Sequence, residues 1–185
     1  TPDRLPDGSR LSVASTPPDS MPPVVEPTHA LENGELFARV FGSRGGMEWA
    51  LYGYQGFWPT PLAARMSESE ELESIAYPRL ISTGASLRVP LGSFLASLEG
   101  AYYHSQDDPD GDDPLLPNSE IRTLVGLEKS LGGDLMVSAQ WYGIGMRDHD
   151  LYLAGTQGGP AFESLRQYVT ARITKMAMGQ NLVLS

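Results

Sequence analysis

The sequence predicts an all-β fold: an antiparallel up-and-down meander, part of a transmembrane β-barrel, with about seven strands and the start of another. Three observations predict it. Apolar and polar residues alternate with period two in seven runs, the connections between runs alternate strictly between short and long, and several runs exceed ten residues.

Residues 1–33 come first and read as a Pro-rich loop or linker. Pro17-Pro18 and Pro22-Pro23 block both helix and central strand. From residue 34 to 185 the pattern is that of a barrel segment, with runs at 35–43, 47–56, 77–89, 93–105, 119–130, 134–146 and 164–178, followed by the start of another strand at 181–185. Arg44-Gly45-Gly46, Pro90-Leu91-Gly92 and Leu131-Gly132-Gly133 read as hairpin turns. Residues 57–76, 106–118 and 147–163 form long connections instead. In an up-and-down meander this alternation puts every tight turn at one end and every long loop at the other, as in outer-membrane barrels. Runs of this length can cross a hydrocarbon layer of roughly 30 Å at the usual tilt, whereas strands in globular proteins more often have about 5–6 residues.

Composition narrows the class. Charged residues make up 19% of the chain, and 23 Asp and Glu against 13 Lys and Arg give a formal charge of −10 without any basic stripe. Nucleic acid is therefore not an expected partner. No apolar stretch approaches the 18 or so residues of a spanning helix, and the lack of Cys excludes disulfides and thiolate metal sites.

Alternation assigns two faces. Ile81, Ala85, Leu87 and Val89 oppose Ser82, Gly84, Ser86 and Arg88, and Phe94, Ala96, Leu98 and Tyr102 oppose Ser97 and Glu99. The later runs repeat this, with Val125 against Arg122 and Glu128, Val137 against Gln140, and Val169 against Arg172. In a membrane barrel the apolar face meets lipid and the charges line the lumen, which predicts Arg39, Glu48, Arg88, Glu99, Arg122, Glu128, Gln140 and Arg172 as lumen-facing. Sign largely alternates from strand to strand along this series, as cross-strand ion pairing requires. Tyr54, Trp58, Tyr102 and Trp141 lie towards the long-loop ends and predict an aromatic girdle. A soluble lipocalin-like ligand-binding barrel shows the same alternation with the faces reversed, and stays open as an alternative.

Four segments carry a resemblance: ENGELFARVFGSRGGMEWALYGYQGFWPTP, YPRLISTGASLRVPLGSFLASLEGAYYHSQDD, PNSEIRTLVGLEKSLGGDLMVSAQWYGIGM and ESLRQYVTARITKMAMGQNLVLS. Together they resemble the uncharacterised porin-like outer-membrane proteins of Gram-negative bacteria. The resemblance covers roughly residues 32–185 and implies a barrel in the outer membrane, without a substrate. Members of that group are longer, and an uneven strand count does not suit closure, so the expectation is a segment truncated at both ends.

The function expected is a passive channel or transporter for small solutes, with outer-membrane lipid as its surroundings. A structural or interaction barrel with a plugged lumen, its long loops contacting partner proteins, is the competing class. No enzyme and no cofactor are expected: His104 beside Ser105 lacks an orienting partner, and His29 and His149 lack zinc-ligand spacing. The acidic loop 106–114 makes Asp107, Asp108, Asp110, Asp112 and Asp113 a candidate divalent-cation site, although its spacing is not that of a helix-loop-helix calcium loop.

Overall fold

A computed structural model describes residues 23–28, 33–61, 63–66, 72–156, 158–159, 161–177 and 182–184. In chain order the elements are β1 (Val24–Val25), β2 (Leu36–Arg44), β3 (Met47–Phe57), β4 (Ala63–Met66), β5 (Leu72–Ala76), β6 (Arg79–Leu91), β7 (Phe94–Ser105), β8 (Glu120–Gly132), β9 (Leu135–Met146), α1 (His149–Gly155), β10 (Leu165–Ala177) and β11 (Leu182–Leu184). Strands β2, β3, β6, β7, β8, β9, β10 and β11 form one sheet in that order, every neighbour antiparallel. The meander is therefore up-and-down, with long strands of 9 to 13 residues and β11 as a short eighth. Strands β2 and β11 are its edges, and no pairing joins them among the described residues. No helix of the described residues is long and apolar enough to cross a membrane, which has no bearing on crossing by strands.

Glycine placement explains the tight turns. Gly45 and Gly46 have φ of 60° and 83°, the double left-handed pair that a two-residue turn needs to match strand twist. Between β6 and β7 the turn falls on Gly92-Ser93, with only Gly92 at positive φ. The third turn is displaced from Leu131-Gly132-Gly133: a bulge between Ser130 and Gly132 carries β8 on to Gly132, and Gly133 and Asp134 turn at φ of 54° and 60°. Asp tolerates this conformation because its short side chain bonds locally.

The long connections are not bare loops. Strands β4 and β5 interrupt the first, pair antiparallel, and take β1 as a parallel third strand through Val24↔Ile75 and Val25↔Ala76. Of the Pro-rich loop or linker expected over 1–33, residues 1–22 and 29–32 lie outside the described residues, and the part at 24–25 is strand, with Pro23 C=O accepting from Ile75 N–H at 3.0 Å. Helix α1 lies in the third connection. The three connections bind one another: Ala64 N–H donates to Leu115 C=O at 3.1 Å and Arg147 N–H to Ser119 C=O at 2.9 Å, while Gln106 N–H ties the second to the start of β6 through Arg79 C=O at 3.1 Å. Buried Phe57, Trp58, Ala63, Ala76, Tyr77, Leu80, Ile144 and Tyr152 all lie at this end of the sheet. The apolar core is a cap over the long-loop end, while the middle of the sheet has almost none.

Candidate functional site

Residues opposite each other in an antiparallel pair share a face, so the register sorts every side chain. Glu48 faces Arg88, Arg88 faces Ser97, and Ser97 faces Gly126, which faces Gln140. Two residues further along the strands Glu99 lies between Ser86 and Leu124, and four residues further Arg39 faces Tyr52. Arg122 faces Ala101 and Ile144, Glu128 faces Leu95 and Ser138, and Ser138 faces Arg172. All eight residues named from the sequence therefore occupy one face.

That face is hollowed along its length. A groove of about 580 Å³ is lined by Arg88, Ser97, Glu128, Gln140 and Arg172. The next, about 380 Å³, shares Arg88 and Ser97 and adds Arg39, Glu48 and Glu99. A third, about 280 Å³, shares Glu99 and adds Tyr103, Arg122 and Tyr142. Arg122 then joins this to a cavity of about 330 Å³ beneath the loop cap.

The expected ladder of ion pairs takes a different form. Glu48, Glu99 and Glu128 make no ion pair with an arginine among the described residues. In the register, Ser97, Ser86, Leu124 and Ser138 separate most of these charges by one pleat. Pairing is concentrated instead on Glu120, a residue the sequence reading passed over. The residue is 5 % exposed, and its carboxylate accepts from Arg122 Nε and Nη2 through one oxygen and from Arg166 Nη2 at 3.0 Å through the other. Arg122 in turn stacks its guanidinium over Tyr103, with 4.0 Å to the ring centroid, and Tyr103 stacks on Trp58 at 5.7 Å. Parity held the missing signal: Glu120 precedes Arg122 by two, and Arg166 has the same phase as Arg172.

The opposite face is apolar and open. Leu51, Leu98, Val125, Leu127, Val169 and Ile173 are each between 42 % and 76 % exposed. Tyr102 and Trp141 belong to this face, Trp141 in the middle of β9. Two members of the expected girdle do not: Tyr54 faces Ser82 on the polar side, and Trp58 is 3 % exposed inside the cap, because the chain turns inward where β3 ends.

Three carboxylates of the acidic loop are engaged by backbone N–H groups. Among the described residues no three carboxylates or imidazoles come together to hold a metal. The carboxylates serve the backbone instead: Asp107 Oδ2 accepts from Arg79 N–H at 2.7 Å, and Asp108 Oδ1 from Gly111 N–H at 3.0 Å and Asp112 N–H at 3.2 Å. Asp113 Oδ1 accepts from Leu115 N–H at 2.8 Å. Burial pushes the Asp108 carboxyl above the ordinary range, against the backbone donors that lower it. Ser119 Oγ lies 3.4 Å from His104 Nδ1 and accepts from Ser105 N–H, a structural bond with no third group orienting it.

Comparison with protein-family models, with curated proteins and with solved structures gives no match.

Proposed function

We propose that this chain is a porin-like β-barrel segment of the bacterial outer membrane and that its polar face lines a passive path for small solutes. The observation that carries the reading is the division of the sheet: all eight charged or amide residues line one connected series of hollows, while the reverse face is exposed hydrocarbon. Water-soluble proteins rarely expose contiguous apolar patches beyond a few hundred Å². Lipid removes that cost, and closing the sheet into a barrel removes the unpaired edges of β2 and β11. The exposure of Leu98, Val125 and Val169 counts against a lipocalin-like barrel, whose apolar side chains would enclose a dry interior.

Along the path Arg39, Arg88, Arg122, Arg166 and Arg172 stand against Glu48, Glu99, Glu120 and Glu128, an excess of one positive charge. Mild anion preference follows. The test is reversal potential in planar bilayers for the protein and for a variant with Arg88, Arg122 and Arg172 changed to Gln. A shift towards cations supports the path, and an unchanged ratio removes these side chains from it.

One observation favours a second reading, a barrel with a plugged lumen. The loop cap buries Trp58, Tyr77 and Tyr152 over the end of the polar face and leaves a cavity of about 330 Å³ there. Persistent electrical silence of reconstituted protein would select that reading.

A further inference from the structure

The cavity beneath the cap differs from the grooves it joins. Its polar wall carries Arg122, Arg166 and Trp58, and its apolar wall Leu116, Ile144 and Phe162. The ion-paired group is one carboxylate against two guanidiniums, so its net charge is +1. Two donors and one acceptor of this lining are left over among the described residues. Trp58 is 3 % exposed and its indole Nε1–H has no hydrogen-bond partner, the buried Nε–H of Arg166 has none either, although its Nη2 holds Glu120, and Asn118 Oδ1 is the unpaired acceptor. A buried donor without an acceptor is costly, so a wall with two of them is complementary to something that accepts.

We infer that this cavity is a binding site for a small carboxylate with a flat apolar body, held by Arg166 and Trp58 against Ile144 and Phe162. The excess positive charge selects an anion over a neutral or cationic molecule. The unpaired donors require acceptor oxygens, which a carboxylate presents in the plane that a guanidinium edge matches. Ile144 is 9 % exposed and gives an apolar seat, and the Phe162 ring, its centroid 5.3 Å from the Arg166 guanidinium, stands 62 % exposed at the rim. A volume of about 330 Å³ is at the small end of ligand pockets, which limits the body to about one ring. This goes beyond the channel reading, because binding needs the cavity and no conduction.

The experiment is calorimetric titration of the detergent-folded protein with benzoate, acetate, benzyl alcohol and benzylamine. Benzoate should saturate a single site, acetate and benzyl alcohol should each bind at least about tenfold more weakly, and benzylamine should not bind. Benzylamine binding as well as benzoate, or no saturation by benzoate at millimolar concentration, overturns the inference without any variant. Arg166→Gln and Trp58→Phe then locate the site, with folding checked by circular dichroism. Each folded variant should lose about tenfold in benzoate affinity, and unchanged affinity in both places the carboxylate elsewhere and overturns the assignment.

Discussion

Replacing Glu120 with Ala tests how the polar face is joined to the last long strand. Glu120 accepts from Arg122 within β8 and from Arg166 on β10, across β9, so its loss leaves two guanidiniums facing one another. Breaking a fully buried pair costs about 3–5 kcal/mol. Here the arginine side chains are 31 % and 30 % exposed, and water recovers part of their solvation. The expected cost is therefore about 2–3 kcal/mol, against about 0–1 for a surface pair. Glu120→Gln keeps one acceptor and should cost about half as much. The assay is urea unfolding of protein refolded into lipid vesicles, run as a double-mutant cycle with Arg166→Met. Coupling between the two sites should be about 1–2 kcal/mol. Additivity within about 0.3 kcal/mol, or a Glu120→Ala cost under about 0.5, would refute the view that this carboxylate fastens β10 to β8.

Three further outcomes follow from the same structure. Leu98 is 50 % exposed with Leu87 and Val125 beside it, and Leu98→Arg should cost about 2–4 kcal/mol in vesicle refolding if that face meets the lipid midplane, whereas a water-facing site would change within about 0.5. Asp108 is held above its ordinary pKa by burial, so the folded protein binds more protons than the unfolded one between the ordinary value and the raised one. Its contribution to stability falls as pH rises through that window, and Asp108→Asn, which keeps the acceptor for Gly111 and Asp112, should remove this slope and raise Tm at neutral pH; identical pH profiles of Tm would count against it. A Cβ at Gly155 would clash with the Asp112 carbonyl oxygen, so Gly155→Ala should push α1 off the acidic loop and expose sites in residues 147–163 to limited proteolysis.

The sheet was legible because strand periodicity is local. A period of two needs only neighbours in sequence, and Gly45-Gly46 announces a turn whatever lies elsewhere. For the same reason the eight polar-face residues could be phased correctly from sequence alone. Contacts between loops have no such local code. Val24-Val25 pairs with β5 across some fifty residues from within a Pro-rich stretch, and nothing in the intervening sequence marks the partner. Trp58 reads as an aromatic beside a strand end, and only the cap that closes over it turns it from a surface residue into a buried one. In the acidic loop the density of carboxylates shows in the sequence, whereas the backbone N–H groups that Asp107, Asp108 and Asp113 accept from do not. Glu120 and Arg166 were within reach of the parity rule, but their pairing depends on β9 holding β8 and β10 in register.

The central claim is that one face of this sheet meets lipid and the other water. The chain has no Cys, so single cysteines introduced from Leu95 to Tyr102 in β7 can each carry a nitroxide label in vesicle-reconstituted protein. Power-saturation electron paramagnetic resonance then compares collisions with oxygen, which concentrates in hydrocarbon, and with a water-soluble nickel chelate. The account predicts alternation with period two: labels at Ala96, Leu98, Gly100 and Tyr102 favour oxygen, and labels at Leu95, Ser97, Glu99 and Ala101 favour nickel. A flat profile, or alternation with Ser97 and Glu99 in the oxygen-rich phase, would contradict it.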